Sequence, residues 1–290
     1  MDQFLQHLVN ALVLGGTYAL LGIGLTLIFG IMRIVNFTHG EFYTFGAYMV
    51  YLFAMVLELN FFLSLFAAVM LGLVLGAAVE YVLLRPLRDA SVDTTMLVMT
   101  GAWIAMQNTE LLVWGGVAKS VTHPFPVAPL VLGPISISWI RVFVFVIAVL
   151  LIVAAHLLIH KTRLGKAMRS TFQDRETAAL MGVNINAIHM ATFALGSGLA
   201  AAAGALLGPV YVLSPAMGDM VALKAFAIVI LGGLGNFMGA ALGGLILALV
   251  EEMGAGYISS GYRDAIGFLI IIAVLIYKPT GLFARAERIG

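Results

Sequence analysis

Residues Gln3 to Met32 read QFLQHLVNALVLGGTYALLGIGLTLIFGIM, thirty positions without one Asp, Glu, Lys or Arg. A hydrocarbon core about 30 Å thick needs roughly 20 apolar residues of helix to cross it, so this run is long enough by itself. It lacks the basic leading segment of a secretory signal and is too long for a signal core. More runs of the same kind follow it, and it is read as an uncleaved first helix. They extend from Leu59 to Val79, Val142 to His160, Thr177 to Gly218 and Ala225 to Val250. Of the 290 residues, 62% are hydrophobic and 10% charged, and the mean hydropathy is +1.08. That leaves too few polar groups to coat a water-soluble globule.

The runs predict an all-α fold, a polytopic transmembrane helical bundle of 8–9 spans forming one domain over residues 1–290. The spans fall near 8–31, 42–58, 60–83, 94–115, 140–160, 186–208, 220–235, 237–256 and 262–277. With the N-terminus outside, Arg33, Arg85, Arg88, the basic residues of 161–175, Lys278, Arg285 and Arg288 all face the cytoplasm. These are eleven of the fifteen Lys and Arg. The positive-inside bias therefore predicts a periplasmic N-terminus and a cytoplasmic C-terminus. The seventh segment decides the parity. It carries Lys224 and ends in Gly232-Gly233-Leu234-Gly235, which suits a broken or re-entrant helix and a plain short helix equally.

Between the fourth and fifth spans, residues 115–138 contain Pro124, Pro126, Pro129 and Pro134 without helical periodicity. This is expected to be a periplasmic loop, serving either as a dock for a soluble partner or as a connector. Small residues recur every fourth position at Gly196, Ala200, Gly204 and Gly208, and again at Gly235, Gly239 and Gly243. Such ridges allow close helix packing in lipid.

The chain has no cysteine, which excludes disulfides, thiol nucleophiles and cysteinyl metal sites. A net charge of +1 with scattered basic residues argues against a nucleic-acid partner. Neither a phosphate-cradling G-x-x-x-x-G-K-[ST] nor a G-x-G-x-x-G occurs; Gly165-Lys166 is followed by Ala. No hydrolase or zinc-protease motif and no run of metal ligands is present either, so no catalytic or metal residues are assigned.

Two hydrophilic stretches carry the functional expectations. In residues 161–183, Leu164, Ala167, Met168, Thr171 and Phe172 share one helical face, while Lys166, Arg169 and Gln173 lie off it. Asp174 is placed to cap a second helix that Gly182 would end. The residues fit a protein dock and a membrane-lipid surface equally. In Arg33-Ile-Val-Asn-Phe-Thr-His-Gly-Glu41, five polar or ionisable side chains interrupt apolar sequence. That reads as an interrupted helix or tight turn, either a cytoplasmic loop or a break lining a translocation path, with Asn36, His39 and Glu41 as candidates. Lys224, Gly232, Gly233 and Gly235 are candidates for the same path or gate. Glu80, Glu110, Lys224, Glu251 and Glu252 lie within or beside spans, where each needs a partner, water or an interfacial position.

Read in order, Gly16-Thr-Tyr-Ala-Leu20, Asn36 to Glu41, Arg85-Pro-Leu-Arg88, Gln107-Asn108, Gly165-Lys-Ala-Met-Arg169, Leu231 to Gly235 and Lys278-Pro-Thr-Gly-Leu282 resemble the LivH-type permeases of branched-chain amino-acid ABC importers. The likeness covers nearly the whole chain. It departs at Thr38, at Met168 and Ser170, and around Asn236-Phe-Met238. It implies a bacterial inner-membrane protein that binds no cofactor and is not an enzyme. Its partners would be a second, LivM-like permease, two ATP-binding subunits that use ATP and Mg, and a periplasmic solute-binding protein. The residues implied to couple to the ATP-binding subunit are Arg163, Gly165, Lys166, Arg169, Asp174, Ala178 and Gly182. Permeases for urea, short-chain amides or aromatic acids are similar, and an autonomous ion-coupled transporter is the reading from another class.

Overall fold

The computed structural model describes residues 2–88 and 90–283; Arg285 and Arg288 lie outside the described residues. Eleven α-helices account for most of it. They are α1 (Asp2–Met32), α2 (His39–Tyr51), α3 (Phe61–Val79), α4 (Val92–Trp114), α5 (Trp139–Lys161), α6 (Arg163–Gln173), α7 (Arg175–Leu180), α8 (Ile185–Leu207), α9 (Met217–Gly232), α10 (Phe237–Tyr257) and α11 (Arg263–Tyr277). The helix of α2 continues through a widened turn at Leu52–Val56, and that of α3 runs on to Leu87.

Among the described residues, six helices are long and apolar enough to cross a membrane: Asp2–Met32, Phe61–Leu87, Trp139–Lys161, Ile185–Leu207, Phe237–Tyr257 and Ser260–Tyr277. The expected spans at 42–58, 94–115 and 220–235 are helical too, as α2, α4 and α9, but fall short on apolarity or length. The expected loop at 115–138 is not wholly irregular. It contains a hairpin of β1 (Leu130–Leu132) and β2 (Ile135–Ile137), and Lys119 pairs with Leu213.

Local chemistry sets the helix ends. Asn60, Ser91, Asn184 and Asn236 each accept a backbone N–H with the side chain at the start of α3, α4, α8 and α10, which satisfies donors that a first turn leaves free. Gly115, with φ of 71°, closes α4 in a backbone region natural to glycine. At the core, α8 packs against α1, α2 and α3 through the small-residue ridge. A Cβ at Gly204 would collide with the Tyr43 carbonyl oxygen, and one at Gly196 would lie 2.7 Å from that of Gly24. Close backbone approach of this kind is how helices adhere where lipid supplies no hydrophobic drive.

Candidate functional site: an interfacial elbow and a mid-bundle junction

Helices α6 and α7 form an elbow between α5 and α8. Thr162 opens it, its Oγ1 accepting the N–H of Gly165 (3.0 Å). Gly165 lies against the last turn of α5, where a Cβ would collide with the Ile159 and Leu158 carbonyl oxygens. The Arg169 guanidinium donates to the same Ile159 carbonyl. Arg169 is therefore a strut that fixes the elbow to α5, satisfying a carbonyl that the helix end leaves free. Arg163 and Lys166 are exposed, whereas Met168 and Thr171 face inward.

Asp174 caps α7 as the sequence predicts. Its Oδ1 accepts from the N–H of Glu176 (3.0 Å) and of Thr177 (3.1 Å), and its Oδ2 from the Thr177 hydroxyl (2.5 Å). The Thr177 hydroxyl and backbone hold this carboxyl below the usual aspartate range. Gly182, with φ of 85°, ends the element, and the next N–H, of Val183, returns to the Ala178 carbonyl (3.0 Å). Ala178 is buried beneath the turn, while Leu180 and Met181 stand out with 88% and 80% exposure.

The apolar face of α6 does not stay together. Phe172 leaves it and reaches the turn between α9 and α10, where a Cβ on Gly235 would lie 3.0 Å from its ring. Gly235 has φ of 77° and Gly233 of 90°, so this turn is a backbone that side-chain-bearing residues disfavour. Gly232 packs backbone to backbone on Gly239. Gly235 thus sits under the elbow, joined to it through Phe172, with Gly232 and Gly233 just before it in the turn. Beside them a cavity of about 870 Å³ opens between Gly30, His156, Met168, Phe172 and Phe237.

The second stretch is the helix interruption expected from the sequence, with its polar residues buried and not in an exposed loop. Helix α1 stops at Arg33, whose φ is 55°, and the chain then turns back into the bundle. The Asn36 Oδ1 accepts from the Thr38 N–H (3.1 Å) and hydroxyl (2.6 Å). His39 donates from Nε2 to the Leu21 carbonyl oxygen (3.0 Å). Leu21 precedes Met32 by eleven residues, so at 1.5 Å per residue α2 begins about 16 Å inside the end of α1. Asn36, Thr38, His39 and Glu41 are all fully buried. The first turn of α9 meets that of α2 here, with Gly40 so close to the Gly218 carbonyl that no Cβ fits between them. The polar residues that interrupt the sequence therefore mark a helix start inside the bundle.

Lys224 is taken up by its neighbours. Its ammonium donates to the Tyr18 hydroxyl (2.8 Å) and to Glu251 (2.9 Å), and pairs with Asp264 (2.7 Å). Glu80 pairs with Arg88 (2.6 Å) and Glu252 with Arg263. Sequence reasoning gave Phe172 only an apolar role and passed over Asp219, which accepts from Trp103 (3.1 Å) and Gln107 (2.9 Å). The spacing of Trp103, Gln107, Glu110 and Trp114 along one face of α4 was the available signal.

The family model described as "Branched-chain amino acid transport system / permease component" matches residues 7–275. The chain is 36% identical to the high-affinity branched-chain amino acid transport system permease protein BraD of Pseudomonas aeruginosa, over 98% of this chain and 97% of that one. It is 34% identical to LivH of Escherichia coli K12, over 98% and 96%. The ribose import permease protein RbsC of the same organism is 25% identical over 76% of this chain and 70% of its own. No solved structure gives a significant match. A full-length match to the family model, joined to six membrane-length apolar helices, leads to one conclusion: this multi-pass membrane protein belongs to the family of branched-chain amino acid transport system permease components.

Proposed function

We propose that the chain carries branched-chain or related hydrophobic amino acids across the bacterial inner membrane as one permease of an ATP-driven importer. In this reading all nine long helical segments count as crossings, the hairpin end is periplasmic, and the elbow end is cytoplasmic. The partners are a second permease, two ATP-binding subunits and a periplasmic solute-binding protein. ATP and Mg belong to the ATP-binding subunits; this chain binds no cofactor.

One observation carries the reading: the elbow ends in the bare apolar tip of Leu180 and Met181, yet is braced from behind by Arg169, Gly165 and the Asp174 cap. A braced apolar tip has the form of a contact that must transmit force. Movement of the ATP-binding subunits pushes this tip. Phe172 then passes the displacement to the α9–α10 turn, and the neighbouring cavity leaves α6 room to swing. Arg163 and Lys166 supply exposed charge for the contact.

The test is copurification and uptake. Leu180→Glu with Met181→Glu should leave membrane insertion intact while releasing the ATP-binding subunits and abolishing ATP-dependent leucine uptake in vesicles. Unchanged copurification and uptake would defeat the assignment. Leucine accumulation by the purified single chain, without ATP or partners, would instead establish an autonomous transporter.

A further inference from the structure

Most charges buried in the bundle have basic partners, but Glu41 and Glu110 do not. Glu41 is fully buried and Glu110 is 6% exposed, and no basic side chain satisfies either carboxyl among the described residues. The two carboxyls lie against each other, within reach of a shared proton, and Glu41 also faces Trp103 and Asp219. A Cβ on Gly218 would sit 2.6 Å from Glu41 Oε1 and 2.7 Å from the Thr44 hydroxyl. The cluster thus occupies the place where α2 and α9 begin beside each other, and α4 closes it from the side. The Tyr48 hydroxyl, one turn beyond Thr44, is likewise buried without a partner.

Carboxyl groups held together away from water need a proton or a cation between them. Elsewhere this chain supplies Lys or Arg to do that, as at Glu80, Glu251 and Glu252. Here, among the described residues, it supplies none, so without a guest cation the pair rests on a shared proton, and the donors of Trp103 and Gln107 are engaged by Asp219. A primary ammonium has three N–H donors, matching the three carboxyl groups of Glu41, Glu110 and Asp219.

We propose that Glu41 and Glu110, with Asp219 beside them, form a station inside the bundle that receives the α-ammonium group of the transported amino acid. This rests on the reading of the chain as an amino-acid permease. The ammonium replaces the missing basic partner, with Trp103 beside Glu41 and the unpartnered Tyr48 hydroxyl near Glu110. Helix α4, which carries Glu110, is the side that must yield to admit it.

The test uses the complete importer in vesicles, with ATP and the solute-binding protein. Leucine uptake by the unaltered complex comes first; its absence would count against the amino-acid reading and not against the station. Given uptake, Glu41→Gln and Glu110→Gln should each lower it about tenfold or more, the loss expected when a charge-assisted hydrogen bond goes, while copurification stays unchanged. Thermal unfolding of the complex in one fixed detergent supplies an independent readout. Isoamylamine, which has the ammonium but no carboxylate, should raise the midpoint of the unaltered complex and not that of Glu41→Gln, and 4-methylpentanoate, which has the carboxylate alone, should raise neither. Uptake unaffected by both substitutions, or a midpoint indifferent to the amine, would overturn the proposal. An equal rise with sodium chloride alone would overturn it in favour of an ion site.

Discussion

Replacing Lys224 with methionine keeps most of the side-chain volume and removes the ammonium on which Tyr18, Glu251 and Asp264 converge. Glu251 is 1% exposed, so its carboxylate would be left in the bundle with only the Tyr18 hydroxyl. Breaking a buried pair from one side costs about 3 kcal/mol or more. The Asp264 side chain is 42% exposed, and water screens it, so its share is below about 1 kcal/mol. For a chain of this length, about 2 °C of midpoint moves per kcal/mol, giving a fall of about 6 °C. The assay is thermal unfolding of purified protein in one fixed detergent, with a double-mutant cycle. Lys224→Met with Glu251→Gln should recover much of the loss, because the orphaned charge goes with its partner. A fall under about 2 °C, or a double variant as unstable as the sum of the singles, would refute the pairing. Normal stability with abolished uptake would return Lys224 to the translocation path.

At Gly204 even one methyl group collides with the Tyr43 backbone, so Gly204→Ala should cost about 1–3 kcal/mol in the same melt. Gly101→Ala, with nothing within 4 Å of the new Cβ, should be neutral or stabilise by up to about 1 kcal/mol. The Asp174 carboxyl is held below its usual range in the folded chain, so its cap is fully present above the ordinary aspartate pKa of about 3.9 and is lost as pH falls through the lower folded value. Protection of the Glu176 and Thr177 amides, taken relative to their intrinsic exchange rates, should therefore hold down to about pH 4 and fall below it, whereas Asp174→Ala should lose that protection above about pH 4 and converge with the unaltered chain once the cap has gone. Phe172→Ala should leave the ATP-binding subunits attached and reduce the uptake driven per ATP, read by measuring both in one preparation. Equal uptake per ATP would remove Phe172 from the relay.

The parts of this molecule that local chemistry determines can be read directly from the chain. Uncharged runs become helices because hydropathy is compositional, and the Asp174 cap and Gly182 stop hold because each depends on residues within one turn. The small-residue ridges are legible for the same reason, since four-residue spacing puts them on one face. The start of α2 is different. Residues 33–38 would suit an exposed loop equally well; what carries them inward is the His39 bond to Leu21, eighteen residues back, and the Gly40 contact with Gly218, far along the chain. The partners of Lys224 were illegible for a similar reason, because several carboxylates within or near the spans could have served. The hairpin was legible but masked, as Leu130 to Ile137 is an apolar stretch around Gly133-Pro134 set among further prolines.

The depth at which α2 begins also bears on how the protein is made. A segment leaves the translocon for lipid according to its own length and apolarity, and α2 and α9, at 13 and 16 residues, are short while α4 carries more polar residues than the six long apolar helices. Glu41, Glu110 and Lys224 are the kind of residues that make solitary release costly. If these three helices cross the membrane, they are expected to settle once α1, α3, α8 and α10 are present to receive them. Biogenesis is then a matter of order, with the apolar wall assembled first and its polar lining folded into place afterwards.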